Sequence, residues 1–284
     1  MPKKNTSWGN VAPWYHNLLK SGQGTFQHDV ILPNILRLLD AKSGQTILDL
    51  ACGPGFFSRE FKKSCTKVIG IDIASELIAF AKTATAEAGS RNGGKVPGVE
   101  FYTASADKIP MVKNKSVDAV TIILSLQNIE NMAGVMSECA RVLKPQGRLL
   151  LVLNHPAFRV PKESAWDWDE AKHIQYRRVD KYLSEARVKI DMHPGLSSEA
   201  LAKEDKPGSQ PQIFTWSFHR PLQVYVKTLA KAGFVVTKLE EWISNRPGPK
   251  GKTFGALEQA RKEIPLFLFL EARLHPDLSR DYAG

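Results

Sequence analysis

One twelve-residue stretch, Thr46 to Phe57, limits most strongly what this chain can fold into: Thr-Ile-Leu-Asp-Leu-Ala-Cys-Gly-Pro-Gly-Phe-Phe. Ile47, Leu48 and Leu50 make the short apolar run of a strand covered on both faces. Gly53 and Gly55 let the backbone turn sharply and let a ligand approach with no Cβ in the way. Residues 56–63 then predict a helix whose free N–H groups point back at the loop.

Two ligand classes suit such a loop. A nicotinamide or flavin dinucleotide wants a third glycine where this chain has Ser58. The other class is set by Asp49, an acid four residues before Gly53. It would repel a pyrophosphate and attract a cationic amino-acid ligand. S-adenosylmethionine carries both a sulfonium and an ammonium group. The run Asp49-Leu50-Ala51-Cys52-Gly53-Pro54-Gly55 resembles the first motif of the class I S-adenosylmethionine-dependent methyltransferases.

Further along, Lys67 to Ile71 predicts a second strand ending at Asp72, 17 residues after Gly55. An acid at that strand end can accept both ribose hydroxyls. Ser75 caps a helix over Glu76–Glu87, and a polar loop spans Gly89–Gly98. Strands are expected at Val99–Thr103, Ser116–Leu124 and Arg148–Leu153, with a helix over Asn131–Leu143 ended by Lys144-Pro145-Gln146-Gly147. After the third strand the family carries an acid that meets the adenine amino group. Here Ser105 stands at that position, so either its hydroxyl or Asp107 makes the contact, with Ala106 alongside.

Before the loop, a helix over Trp8–Lys20 and another from Thr25 to about Asp40, bent at Pro33, form an N-terminal cap. Residues 1–7 read as a disordered tail. The resemblance implies that such a cap covers the cofactor, with Tyr15 against its methionine end; ordinary helix packing is the alternative for Tyr15. Beyond the fifth strand, residues 156–214 are too long for a simple connection and read as an inserted lid rich in aromatics. Within it Gln175–Val179 and Arg187–Met192 are expected to pair, and Glu204–Gln212 to be mobile. Pro221 opens a helix to Ala232, Gly233 ends it, and strands at Phe234–Trp242 and Leu266–Leu274 close the chain around a loop at Pro247–Gly255.

The fold expected is α/β: a Rossmann-like, seven-stranded, mostly parallel sheet with an antiparallel last strand and helices on both faces. Residues 1–43 form the cap, 44–155 and 215–276 the core, 156–214 the insert and 277–284 a tail. The resemblance implies cofactor contacts at Tyr15, Asp49, Ala51, Gly53, Gly55, Asp72, Ile73, Ser105, Ala106, Leu124 and Gln127. Ser125-Leu126-Gln127-Asn128-Ile129 resembles the segment beside the reactive methyl in quinone-type and related small-molecule enzymes, and the Asn-Pro-Pro-Tyr of nucleic-acid amino-methylating enzymes is lacking there.

The activity implied is in-line transfer of a methyl group from S-adenosylmethionine to a small molecule, leaving S-adenosylhomocysteine. His155 and His219 are candidate bases or structural histidines; Trp166, Tyr176 and Arg220 are candidate substrate contacts. A net charge of +10 raises a tRNA or rRNA acceptor as the alternative, but Lys and Arg occur at most in adjacent pairs. A non-catalytic S-adenosylmethionine-binding protein is the third reading. Cys52, Cys65 and Cys139 have no metal-ligand spacing, and neither His173 nor His193 has a second ligand, so no metal is expected. Thiols of this kind, with no apolar leader and no membrane-length apolar run, point to the cytoplasm. Cys52 reads as a small filler in the loop.

Overall fold

A computed structural model describes residues 7–20, 24–90, 98–192, 214–245 and 253–275. The expectations for the N-terminal tail, for most of the 89–98 and 247–255 loops, for 204–212, for the C-terminal tail and for His193 lie outside these residues.

Strands β1 (Thr46–Leu50), β2 (Lys67–Asp72), β3 (Val99–Thr103), β4 (Val117–Ile123) and β5 (Leu143–Asn154) alternate with helices α4 (Phe56–Lys62), α5 (Ser75–Ser90) and α6 (Met132–Val142). Helix α7 (Leu222–Lys231), strand β10 (Phe234–Trp242), helix α8 (Phe254–Glu263) and strand β11 (Phe267–Leu274) follow the insert. The seven-stranded sheet has the order β10-β11-β5-β4-β1-β2-β3. Only β11 runs against both neighbours, β5 and β10.

Side-chain alternation along the strands builds a core on each face. Leu149, Leu151 and Leu153 of β5 pack with Leu48 and Leu50 of β1 beneath α6 and α7. Leu150 and Val152 point the other way, joining Ile47, Phe57 and Phe61 under α4 and the N-terminal helix α3 (Leu32–Leu39). Each such side chain, fully buried, contributes about 1.5–3 kcal/mol. Both faces are therefore covered, which is why these strands read as unbroken apolar runs.

The N-terminal region holds α1 (Ser7–Asn10), α2 (Ala12–Lys20) and a helix that begins after Thr25. The single helix expected over 8–20 breaks at Val11. Thr25 does cap its helix: its Oγ1 accepts from the His28 N–H at 3.2 Å. A π-helical turn at Gln27–Ile31 precedes Pro33, whose missing N–H is harmless in the first turn of α3.

Three other expectations change. Gln175–Val179 and Arg187–Met192 do not pair with each other. Strand β7 (Ile174–Val179) pairs with β6 (Ser164–Asp169), and β8 (Ala186–Asp191) pairs with β9 (Phe214–His219), as two separate antiparallel hairpins. Adjacent sequence favoured the shorter closure for β6 and β7. Helix α8 was not foreseen, because Pro- and Gly-rich sequence leads into it. The Lys144–Gly147 turn is not a break before the fifth strand: β5 pairs with β4 first at Leu143↔Val117 and then at Arg148↔Ala119, so the intervening residues bulge within a longer strand.

Candidate functional site

The carboxyl ends of β1, β2 and β4 open onto one cavity of about 520 Å3, within the range of small-molecule sites. Strand β1 leads into it through Ala51, Gly53 and Gly55, all at positive φ (58°, 56° and 71°). Leu124, just past β4, is also at positive φ, 53°. For alanine and leucine this costs roughly 1–2 kcal/mol each, and such strain gathers at functional sites. Gly55 caps α4, and a Cβ there would stand 2.7 Å from Phe101 Cζ. Gly70, in the middle of β2, makes room for the same ring, whose Cε1 would lie 2.5 Å from an added Cβ.

Two buried carboxylates form the floor. Asp49 accepts from Ser58 Oγ at 2.5 Å and from Thr121 Oγ1 at 3.2 Å. Burial pushes its carboxyl up to about 6, and the neighbouring Asp72 charge adds to the shift. Asp72 accepts the Gly53 N–H and the Ala74 N–H, both at 2.9 Å, so it fixes the glycine loop and the start of α5 together. Burial raises its carboxyl as well. At the β3 end Ser105 Oγ donates to Asp107 at 2.5 Å, and Asn131 Nδ2 donates to the other Asp107 oxygen at 2.7 Å. Asp107 is thus the held acceptor, and the Ser105 proton is already used.

Asp49, Asp72, Asp107 and Glu130 all line the cavity, and among the described residues no lysine, arginine or histidine does. In a chain of net charge +10, the cavity is acidic. That suits a cationic ligand and opposes a pyrophosphate. Tyr15 and Trp8 form the N-terminal wall, their rings 5.3 Å apart and edge to face. Burial raises the Tyr15 hydroxyl to about 12, so it stays protonated. Cys52 is buried against Gly70, and burial pushes its thiol well up, as befits a filler rather than a nucleophile.

Of the residues singled out from sequence, Tyr15, Asp49, Ala51, Gly53, Asp72, Ile73, Ser105, Ala106 and Leu124 line the cavity. Gly55 backs it through α4. Gln127 turns away, its Nε2 reaching Asn154 O at 3.5 Å. His155 lies outside it, with Nε2 on Glu241 at 2.7 Å and Nδ1 accepting the Ala157 N–H at 3.2 Å, so neither ring nitrogen is open to a substrate. His219 also lies outside, bonded to Tyr182 O at 2.8 Å. Arg220 braces the cavity wall from behind, donating to the carbonyls of Ile129 and Glu130 at 2.9 and 2.8 Å. Trp166 and Tyr176 belong to the β6–β7 hairpin, away from the cavity, where Tyr176 bonds Asp167.

Sequence reasoning did not single out Trp8 or Glu130 as lining residues, whereas Ser125 and Asn128 line the cavity within the segment expected beside the reactive methyl. Ser125 Oγ is buried with no hydrogen-bond partner among the described residues. Asn128 Nδ2 donates to Trp216 O at 3.0 Å and ties β9 to the cavity wall. For Glu130 the available signal was its place just past β4.

Residues 48–151 match a family described as a methyltransferase domain. The chain is 32% identical over 142 residues to the demethylmenaquinone methyltransferase of Lactococcus lactis, which spans 49% of this chain and 54% of that protein. It is 31% identical over 176 residues to the ubiquinone/menaquinone biosynthesis C-methyltransferase of Escherichia fergusonii, spanning 58% of this chain and 66% of that one. The chain thus spans about half to two thirds of the length of these curated relatives. In fold it is similar to an S-adenosylmethionine-dependent methyltransferase from Mesorhizobium loti, with a TM-score of 0.63 and 23% identity over 88% of this chain and 98% of that one.

Proposed function

We propose that the chain, whose residues 48–151 match a methyltransferase domain, transfers a methyl group from S-adenosylmethionine to a small-molecule acceptor. The observation that carries this reading is the acidic cavity, with four carboxylates and no basic side chain among the described residues of its walls. The residues fit the cofactor. Asp72 would take the ribose hydroxyls, Asp107 and the Ala106 backbone would meet the adenine, and Asp49 would face the cationic methionine end beside Tyr15.

Bound there, the cofactor supplies an already activated electrophilic methyl. The chain's own task is alignment and exclusion of water. The wall beyond β4 does this with Leu124, Ser125 and Asn128. We assign Glu130, an exposed carboxylate among the lining residues, to taking a proton from an acceptor. Since neither His155 nor His219 reaches the cavity, we assign both to holding the insert and the sheet edge. Strand β9 touches both α1 and the turn Leu126–Asn128, which makes the β8–β9 hairpin our candidate for the covering element.

A quinone-like or other apolar ring acceptor agrees with the relatives' names and with the mainly apolar lining. An RNA acceptor is the second reading. It is favoured by the net charge and by Arg187 stacked 4.0 Å over Trp216 and Lys189 4.3 Å over Phe214 on the covering hairpin. The three cysteines are free thiols, which suits a reducing cytoplasm. Among the described residues no helix is long and apolar enough to cross a membrane.

Calorimetric titration with S-adenosylmethionine, S-adenosylhomocysteine and NADH tests the cofactor. Binding of the first two alone is expected, and an NADH signal without them would overturn the reading. Labelled methyl donor offered with quinols, phenols and tRNA in parallel then separates the acceptor classes, and binding without transfer to any of them would favour the non-catalytic reading.

A further inference from the structure

A second, smaller cavity of about 160 Å3 shares no lining residue with the first. The β6–β7 hairpin, the start of the Thr25 helix and the end of α8 border it, and its arginines are half-buried. Three arginines line it, Arg159, Arg177 and Arg261, together with Phe26, Phe158 and Trp166. Among the described residues no aspartate or glutamate does.

Arginines are brought into protein interiors with carboxylates or phosphates as partners, because an unpaired buried charge is costly. Arg177 is held in place by neutral groups only. Its Nε donates to Phe158 O at 2.8 Å and its Nη2 to Ser164 Oγ at 2.9 Å, while its guanidinium lies 5.4 Å from the Trp166 ring centroid. The Arg159 guanidinium has no hydrogen bond or ion pair to any described residue. Burial and the Arg177 charge both push its ionisation down, the direction of a cation that lacks its anion. The Arg159 and Arg177 charges repel one another, and neither has a carboxylate partner among the described residues. The aromatic rings bound a space of a few water volumes, enough for one tetrahedral or planar oxyanion with part of a ring behind it.

We propose that this pocket is a binding site for an oxyanion, a phosphate group above all, held by Arg159 and Arg177 and carried either as free phosphate or on a small aromatic phosphate ester stacked against Trp166. The site is distinct from the methyl-transfer cavity, and its occupation would couple the β6–β7 hairpin to the sheet edge and α8.

The test is calorimetric titration of the full chain with inorganic phosphate and, separately, phenyl phosphate, at fixed ionic strength. Wild type, Arg159→Gln and Arg159→Lys are compared. Saturable binding is expected in wild type, weakened at least about tenfold in Arg159→Gln, the size of one lost charge-assisted hydrogen bond, and partly kept in Arg159→Lys. The thermal midpoint of Arg159→Gln in chloride should equal or exceed that of wild type, which shows that the variant folds and that the charge is unpaid in the empty site. Tighter binding of phenyl phosphate assigns the aromatic ester; equal affinities assign the free anion. No saturable binding to wild type, or the same affinity in Arg159→Gln, overturns the site. These titrations are read without S-adenosylmethionine, so their failure is separate from any failure of the methyltransferase reading.

Discussion

At the scale of single residues, the site trades stability for ligand affinity. Asp49 is buried, hydrogen-bonded by two hydroxyls and raised to about 6, so its ionised form is disfavoured until a cation arrives. Asp49→Asn keeps the shape and removes the charge. It should raise the thermal midpoint of the free protein at neutral pH by a few degrees, from about 1–3 kcal/mol. The same change should weaken S-adenosylmethionine binding at least about tenfold. A weaker apoprotein with intact affinity would contradict both halves. Asp72→Ala should weaken cofactor binding by a similar or larger factor, since it also frees the Gly53 N–H; unchanged affinity by calorimetry would remove it from the ribose role. Gly55→Ala combines a positive φ with a contact to Phe101 at 2.7 Å. Chemical denaturation should show a loss of about 1–3 kcal/mol.

Among the elements, the β8–β9 hairpin is joined to the cavity wall by few polar contacts. One of them is Asn128 Nδ2 to Trp216 O. In Asn128→Ala, amides of Phe214–His219 should exchange about fivefold faster, the equivalent of about 1 kcal/mol for one net hydrogen bond. Unchanged exchange would mean that aromatic packing alone, such as Phe214 against Trp216, holds the strand. The β6–β7 hairpin is a separate unit, tied to the chain before it by Arg177 and not by the cavity. Its aromatics, expected to meet substrate, instead line the arginine pocket or solvent.

The whole molecule should reveal Asp49 through pH. Its folded value, about 6, lies above the ordinary 3.8. The folded state therefore binds the extra proton between those limits. The stability that this proton provides is complete below about 3.8 and lost as pH rises through about 6. Asp72 shifts in the same direction. For a cationic ligand the sign reverses: S-adenosylmethionine affinity should be flat above about pH 6.5 and fall by up to tenfold per unit below 6, as protons compete for the carboxylate. Titrations from pH 5 to 8 check this, and a flat profile would show that Asp49 does not sense the ligand's charge.

The parallel sheet, the glycine loop and the acids at its strand ends were legible in the sequence, because they depend on local periodicity and on residue types at fixed offsets. Ile47 to Gly55, Asp72 and the Pro221–Gly233 helix each carry their own signal within a few residues. What the tertiary structure alone decided was partnership across long separations. No local pattern says that β8 pairs with β9 rather than β7, since strand pairing is set by loop closure and by the surface each strand covers. Nor does it say that His155 spends its ring on Glu241, 86 residues away, or that Arg159 and Arg177 share a pocket with no acid among its described residues. A side chain's chemistry is written in the sequence; which neighbours consume it or leave it free is fixed only when the chain packs.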